Sequence, residues 1–298
     1  MHGGDDTDLL RPVLPGMRAL LMAFAGLTLL AVLSLYVGSS ATDRFFAWTI
    51  DPPLSAAFLG AGYAAGTVLV LLSLRTAMWS HARVPVVTIF VFTLVTLVAT
   101  VLHLDRFHLQ EGQAGLPLAA AWLWIAVYVL VPPAIAVLWW AQERAPGHGP
   151  PEHVPLPPWL VALLAAQGIV MTVVAITLFV TPSSAAVLWP WPLSPLIARM
   201  IAAWLLAFGV AAGLAIRGRD LGRMRAAAIA YTVFGVLELV ALLRYPDVVA
   251  WGSPAAWGYL AVLAAVLVTG GYGWWASTGS RASRLRAASS PSESQGSV

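Results

Sequence analysis

The sequence predicts an all-α polytopic membrane protein, with eight transmembrane helices arranged as two parallel four-helix repeats. Three observations lead there. First, 60% of the 298 residues are hydrophobic and 10% charged, with mean hydropathy +0.83. That is too little charge to clothe a soluble domain, where about a quarter of residues are charged. Second, eight apolar segments can be counted, each of roughly the twenty residues a spanning helix needs. Third, the stretch Ala120–Ala141 recurs 135 residues later as Ala255–Ala276, with no gap and nine of 22 positions identical. Three of those matches are tryptophans (Trp122/Trp257, Trp139/Trp274, Trp140/Trp275), too rare a residue for shared apolar composition to explain.

Composition also excludes. Without cysteine there are no disulfides, thiolate metal sites or thiol nucleophiles. Without lysine there is no retinal Schiff base and no phosphate-binding Walker loop. A pI of about 9.6 would suggest nucleic acid in a soluble protein. Here the arginines cluster at helix ends, so topology explains them and no nucleic-acid partner is expected. Ala, Gly and Pro are abundant and arginine replaces lysine throughout, usage that fits a GC-rich bacterial genome.

The predicted helices fall at about 17–37, 54–74, 84–104, 117–140, 159–180, 195–216, 225–244 and 254–276. None alternates with the two-residue period of a barrel strand. The first apolar run is longer than a cleavable signal's core of about 7–15 residues, so it is read as a retained anchor. With the N-terminus inside, twelve arginines lie at inner loops and ends against Arg44, Arg106 and Arg244 outside. The expected location is the inner (plasma) membrane with both termini cytoplasmic.

The repeat continues outside the opening match. Arg83–Asp105 aligns with Arg225–Asp247 at an offset of 142, Pro53-Leu54-Ser55 recurs at 192–194, and Ser39-Ser40-Ala41 at 183–185. The expected organisation is a segment 1–16, a repeat 17–140, a Pro-rich linker 141–158, a second repeat 159–276 and a disordered tail 277–298. An even number of crossings per repeat gives both copies the same orientation, hence a pseudo-twofold axis along the membrane normal.

Candidate functional residues are few. Pro132 and Pro133 interrupt the fourth helix, and Gly270 and Gly271 weaken the eighth at a similar depth. Matched interruptions in two repeats can free backbone groups to bind a solute. Bending for packing is the commoner use. Gly62-x-x-x-Gly66 and Gly209-x-x-x-Gly213 permit close helix approach and mark the second and sixth helices for the seam between repeats. Arg199 and Glu238 are ionisable residues at similar depth within the membrane, and a salt bridge between them is expected. Gly60 and Thr96 occupy the aligned positions of the first repeat.

The outer loop after the third helix holds His103, Asp105, His108 and Glu111, types that can ligate a metal or move protons. Two histidines five apart lie about 140° around a helix, so no metal site is assigned and catalytic roles stay candidates only. His81 and His103 sit at opposite faces and cannot bind one haem axially. No cofactor is expected. The leading functional expectation is a small permease-like transporter with a cavity between its repeats, its partners lipid and a small solute. The alternatives are a membrane enzyme at His103, Asp105 and His108, or an assembly subunit that binds another membrane protein.

Overall fold

The structure, a computed structural model, describes residues 10–289 apart from 77, 111, 113 and 150–153, with side chains as far as residue 278. Among the described residues it is all-helical, and eight helices are long and apolar enough to cross a membrane. They are α1 Pro15–Val37, α2 Pro53–Leu74, α3 Trp79–Val101, α4 Leu116–Arg144, α5 Pro158–Val180, α6 Pro195–Gly218, α7 Leu221–Arg244 and α8 Pro254–Ser289. The chain is therefore built as a multi-pass membrane protein.

Proline begins α1, α2, α5, α6 and α8. Its ring fixes φ near the helical value, and its missing N–H falls where the first turn has no acceptor to offer. In α7 the start is set by Asp220, whose Oδ1 accepts from Gly222 N at 2.9 Å. In α1 the last turn is π-helical, Leu33–Val37, closed by Gly38 N–H donating to Leu33 O at 3.0 Å.

Four boundaries differ from the hydropathy reading by four residues or more; two of them are the α4 end, at Arg144 and not 140, and the α7 start, at Leu221 and not 225. Helix α3 begins at Trp79, before residue 84, because its first turn is polar and Pro85 is held inside the helix. Helix α8 continues to Ser289, into the stretch expected to be disordered. The side chains of Arg281, Arg284 and Arg286 lie outside the described residues.

Packing separates inner from outer helices. The apolar stretch is 61% buried in α2 and α6 and 50% in α3, against 22% in α1 and 28% in α8. Helix α1 packs on α2, α3 on α4, α5 on α6 and α7 on α8; between the two groups of four, α2 packs on α7 and α3 on α6. The outer pairs α1/α4 and α5/α8 touch far less.

Gly62 lies on that seam. A Cβ there would stand 2.7 Å from the Trp204 indole of α6, so only glycine admits the ring. The α2 glycine pair thus serves the seam as expected. The α6 pair does not: Gly209 faces Thr172 and the Gly168 carbonyl of α5, and Gly213 has nothing within 4 Å. Outward-facing Trp122, Trp140, Trp257 and Trp275 are exposed near the helix ends, where an aromatic belt sits.

The connections collect at two ends of the bundle. At the end bearing residues 10–14, Arg11 N–H donates to His148 O and Trp79 N–H to Arg11 O. Fully buried Gln142 there accepts from Leu14 N and donates to Pro12 O, both at 2.8 Å. Beside it Glu143 pairs with Arg83 at 2.9 Å and Arg11 at 3.4 Å and accepts from Trp139 Nε1 at 3.1 Å. This end is called terminal below, and the opposite end distal.

Candidate functional site

Three cavities of appreciable volume lie among the helices. The first, of about 90 Å³, lies on the seam, lined by α2, α3, α6 and α7 with Gly66, Pro85, Phe92, Trp204, Phe208 and Tyr231 among its walls. Phe92 stacks on Trp204 at 3.9 Å, and Tyr63 meets Trp204 edge-on at 5.3 Å. The Tyr63 and Tyr128 hydroxyls are hydrogen-bonded to each other in the core. Thr269 also lines the cavity and accepts from Gln167 Nε2 at 3.1 Å; Tyr231 O–H points at Gln167 Oε1 at 3.5 Å. Thr88 adds a further hydroxyl, and the remaining lining is largely apolar.

The other two cavities lie at the perimeter, toward the distal end. One, of about 230 Å³, is bounded by α1 and α4; the other, of about 220 Å³, by α5 and α8. Their linings correspond in the registers read from the sequence. Ala120, Leu123, Trp124, Val127 and Tyr128 of the first match Ala255, Gly258, Tyr259, Val262 and Leu263 of the second. Likewise Leu27 and Leu30 match Met171 and Val174, and Phe45 and Phe46 match Trp189 and Pro190.

Each perimeter cavity adjoins an aromatic triad. In the first, Phe46 and Trp48 are 4.7 Å apart and lie 5.3 and 4.9 Å from Trp124. In the second, Trp189 and Trp191 are 5.3 Å apart and lie 5.6 and 5.3 Å from Tyr259. These edge-on contacts suit aromatic quadrupoles. In the sequence the triads are served by Phe46-x-Trp48 and Trp189-x-Trp191, which stand one residue out of the 144-residue register. Nothing local indicated that each would close on the fourth helix of its group.

The charged residues do not pair as expected. Arg199 Nε donates to Phe179 O at 3.0 Å, and its Nη1 lies 2.6 Å from His103 Nε2. Glu238 instead accepts from Tyr259 O–H at 2.7 Å. The two lie at similar depth but turn to different neighbours. Arg199 serves as a cap, its cation at the C-terminal end of α5 where the helix dipole is negative. Arg244 does the same for α1, donating to Tyr36 O at 2.8 Å and Ser39 Oγ at 3.1 Å. Because arginine only donates, His103 Nε2 must be the accepting, unprotonated nitrogen. Partial burial and the adjacent Arg199 charge hold the His103 imidazole below its usual pKa.

The remaining loop residues disperse. His108 bonds Thr49 Oγ1 at 3.1 Å and Phe46 O at 3.0 Å, and Asp105 pairs with exposed Arg106 at 3.2 Å. His103, Asp105 and His108 therefore share no centre, and no group of three metal-ligating residues exists among the described residues. Glu111 lies outside them.

The helix interruptions are absent too. Helix α4 runs unbroken through Pro132 and Pro133, and α8 through Gly270 and Gly271. Membrane helices keep their course past proline when neighbouring groups absorb the freed carbonyls. Gly270 is a contact point: a Cβ there would press on Thr232 and the Ala228 carbonyl of α7. None of these four residues lines the three cavities described.

No protein family, no curated protein and no solved structure matches this chain.

Proposed function

We propose that the chain is a small membrane permease, built from two four-helix repeats related by a pseudo-twofold axis along the membrane normal. The observation that carries the reading is the seam cavity between α2/α3 and α6/α7, closed by the Phe92–Trp204 stack. A carrier must hold its solute between two gates and expose it to one side at a time. In this reading the stacked rings are the distal gate, and the lining hydroxyls of Thr88, Tyr231 and Thr269 bind the solute's polar group, with Gln167 hydrogen-bonded to Thr269. The solute is small and largely apolar.

The repeat is supported by the packing. Exchanging α1–α4 with α5–α8 maps α1/α2 onto α5/α6, α3/α4 onto α7/α8, and α2/α7 onto α6/α3. The matched perimeter cavities support it independently. The arginine distribution supports cytoplasmic termini in a bacterial inner membrane.

The absence of native cysteine makes the test direct. Single cysteines at Thr88 and Ala212, both lining the seam cavity, are to be labelled with a membrane-impermeant thiosulfonate from each side. Labelling from the terminal side alone, becoming two-sided when Trp204→Ala removes the gate, is the expected result. Cysteines that stay unlabelled from both sides, with or without Trp204, would leave a solid bundle and overturn the permease.

A further inference from the structure

The perimeter cavity bounded by α5 and α8 differs from its equally aromatic counterpart in having a carboxylate hydrogen-bonded to one of its wall residues. Its walls include four aromatic rings, Phe58, Trp189, Phe234 and Tyr259. Phe58 meets Trp189 edge-on at 5.7 Å and Phe234 at 5.6 Å, and Trp189 meets Tyr259 at 5.6 Å. One turn beyond Phe234 on α7 stands Glu238, which is 0% exposed. Tyr259 stands between them: its ring is part of the wall, and its hydroxyl donates to Glu238 Oε2. The second oxygen, Glu238 Oε1, is buried with no partner, as is the Trp189 indole N–H.

A buried carboxylate with an unpartnered oxygen is costly in either protonation state. Ionised, it lacks a counter-charge. Protonated, it places an O–H where no acceptor stands. The two nearest candidate cations by sequence depth are taken: Arg199 by Phe179 O and His103, Arg244 by Tyr36 O and Ser39. A metal ion is a poor occupant, because hard cations take six or more oxygens, whereas the lining itself carries only the Tyr259 hydroxyl, with the Glu238 carboxylate standing behind it. A quaternary or substituted ammonium suits it. Such a cation is attracted by aromatic faces, needs no hydrogen-bond donor to be satisfied, and carries an apolar body into an apolar cavity.

We propose that this cavity binds an organic ammonium ion with a hydrocarbon or aryl body, Glu238 supplying the counter-charge and Trp189, Tyr259, Phe58 and Phe234 the cage. The counterpart cavity is the built-in control. At the aligned positions it has Trp124 for Tyr259 and Thr96 for Glu238, so it offers aromatic faces without a carboxylate. One site per chain follows. The proposal uses a different cavity from the permease reading, and binding here neither requires nor implies transport through the seam.

The test is equilibrium binding to the purified full chain in lipid nanodiscs, with benzyltrimethylammonium as probe and its uncharged isostere neopentylbenzene as control. The expected result is saturable binding of one cation per chain, at least tenfold tighter than the isostere, and at least tenfold weaker after Glu238→Gln. Where Glu238→Gln fails to fold, Trp189→Leu keeps the carboxylate and removes the cage wall. It should lose cation binding while retaining the isostere's. Equal affinity for cation and isostere, two equivalent cation sites, or cation binding unchanged in either variant would overturn the assignment.

Discussion

Gly62 offers the sharpest test of the seam. A methyl group built there lies 2.7 Å from Cε2 and 2.9 Å from Cδ2 of Trp204, well inside van der Waals contact. The indole cannot retreat freely, because its other face is stacked on Phe92 at 3.9 Å and Tyr63 stands at its edge. Gly62→Ala should therefore cost what overpacking a tight core costs, about 1–3 kcal/mol, against a helix-propensity gain of up to about 1 kcal/mol. The control is Gly213→Ala, where the added carbon meets nothing within 4 Å. It should be neutral or stabilising. Trp204→Leu removes the aromatic ring that clashes, so in that background Gly62→Ala should cost little, giving a coupling energy of about 1–2 kcal/mol. Reversible unfolding in mixed micelles, followed by tryptophan fluorescence, measures all four variants. If Gly62→Ala were as harmless as Gly213→Ala, or the two seam changes were additive, α2 and α6 would not meet as described.

Four further outcomes follow from the polar contacts. Gln142→Leu should destabilise by about 1–3 kcal/mol, because it removes from a fully buried side chain both hydrogen bonds, to the part-buried Leu14 N–H and Pro12 O. Glu143→Gln, with its partly exposed ion pairs, should cost no more than about 1 kcal/mol in the same unfolding assay. Arg199→Ala and Glu238→Ala should combine additively, since they share no partner; Glu238→Ala and Tyr259→Phe should not, and a double-mutant cycle decides both. His103, held below its usual pKa, binds fewer protons folded than unfolded. Stability should thus be full above the ordinary imidazole value of about 6.5 and fall as pH drops below it. His103→Gln keeps an acceptor for Arg199 and should flatten that acid-side loss in melts between pH 7 and 5.

What the sequence could and could not reveal divides by range. All eight helices were legible, because crossing a bilayer demands a long apolar run and proline marks the start of most of them. The close approach at Gly62 was legible too, since small residues have few other uses in lipid. The charge partners were not. Depth along a helix can be counted from the sequence, but the direction a side chain takes around it depends on neighbours far away in the chain. Arg199 and Glu238 have matching depth and divergent facing. The same gap hid Tyr259 as the Glu238 partner, as a tyrosine among apolar residues carries no mark of what its hydroxyl will meet. Pro132 and Gly270 misled for a different reason: both weaken a helix in isolation, and packing within the bundle keeps it whole.

The loose contact between α5 and α8 has a consequence for any molecule the perimeter cavity receives. Its walls merge with side chains such as Val170 and Leu188 that face outward from the bundle. A guest would reach it sideways, from among the acyl chains, without first crossing water. Occupancy would then follow the guest's mole fraction in the surrounding lipid. Two compounds of equal intrinsic affinity but different oil–water partitioning would fill the site at very different dissolved doses.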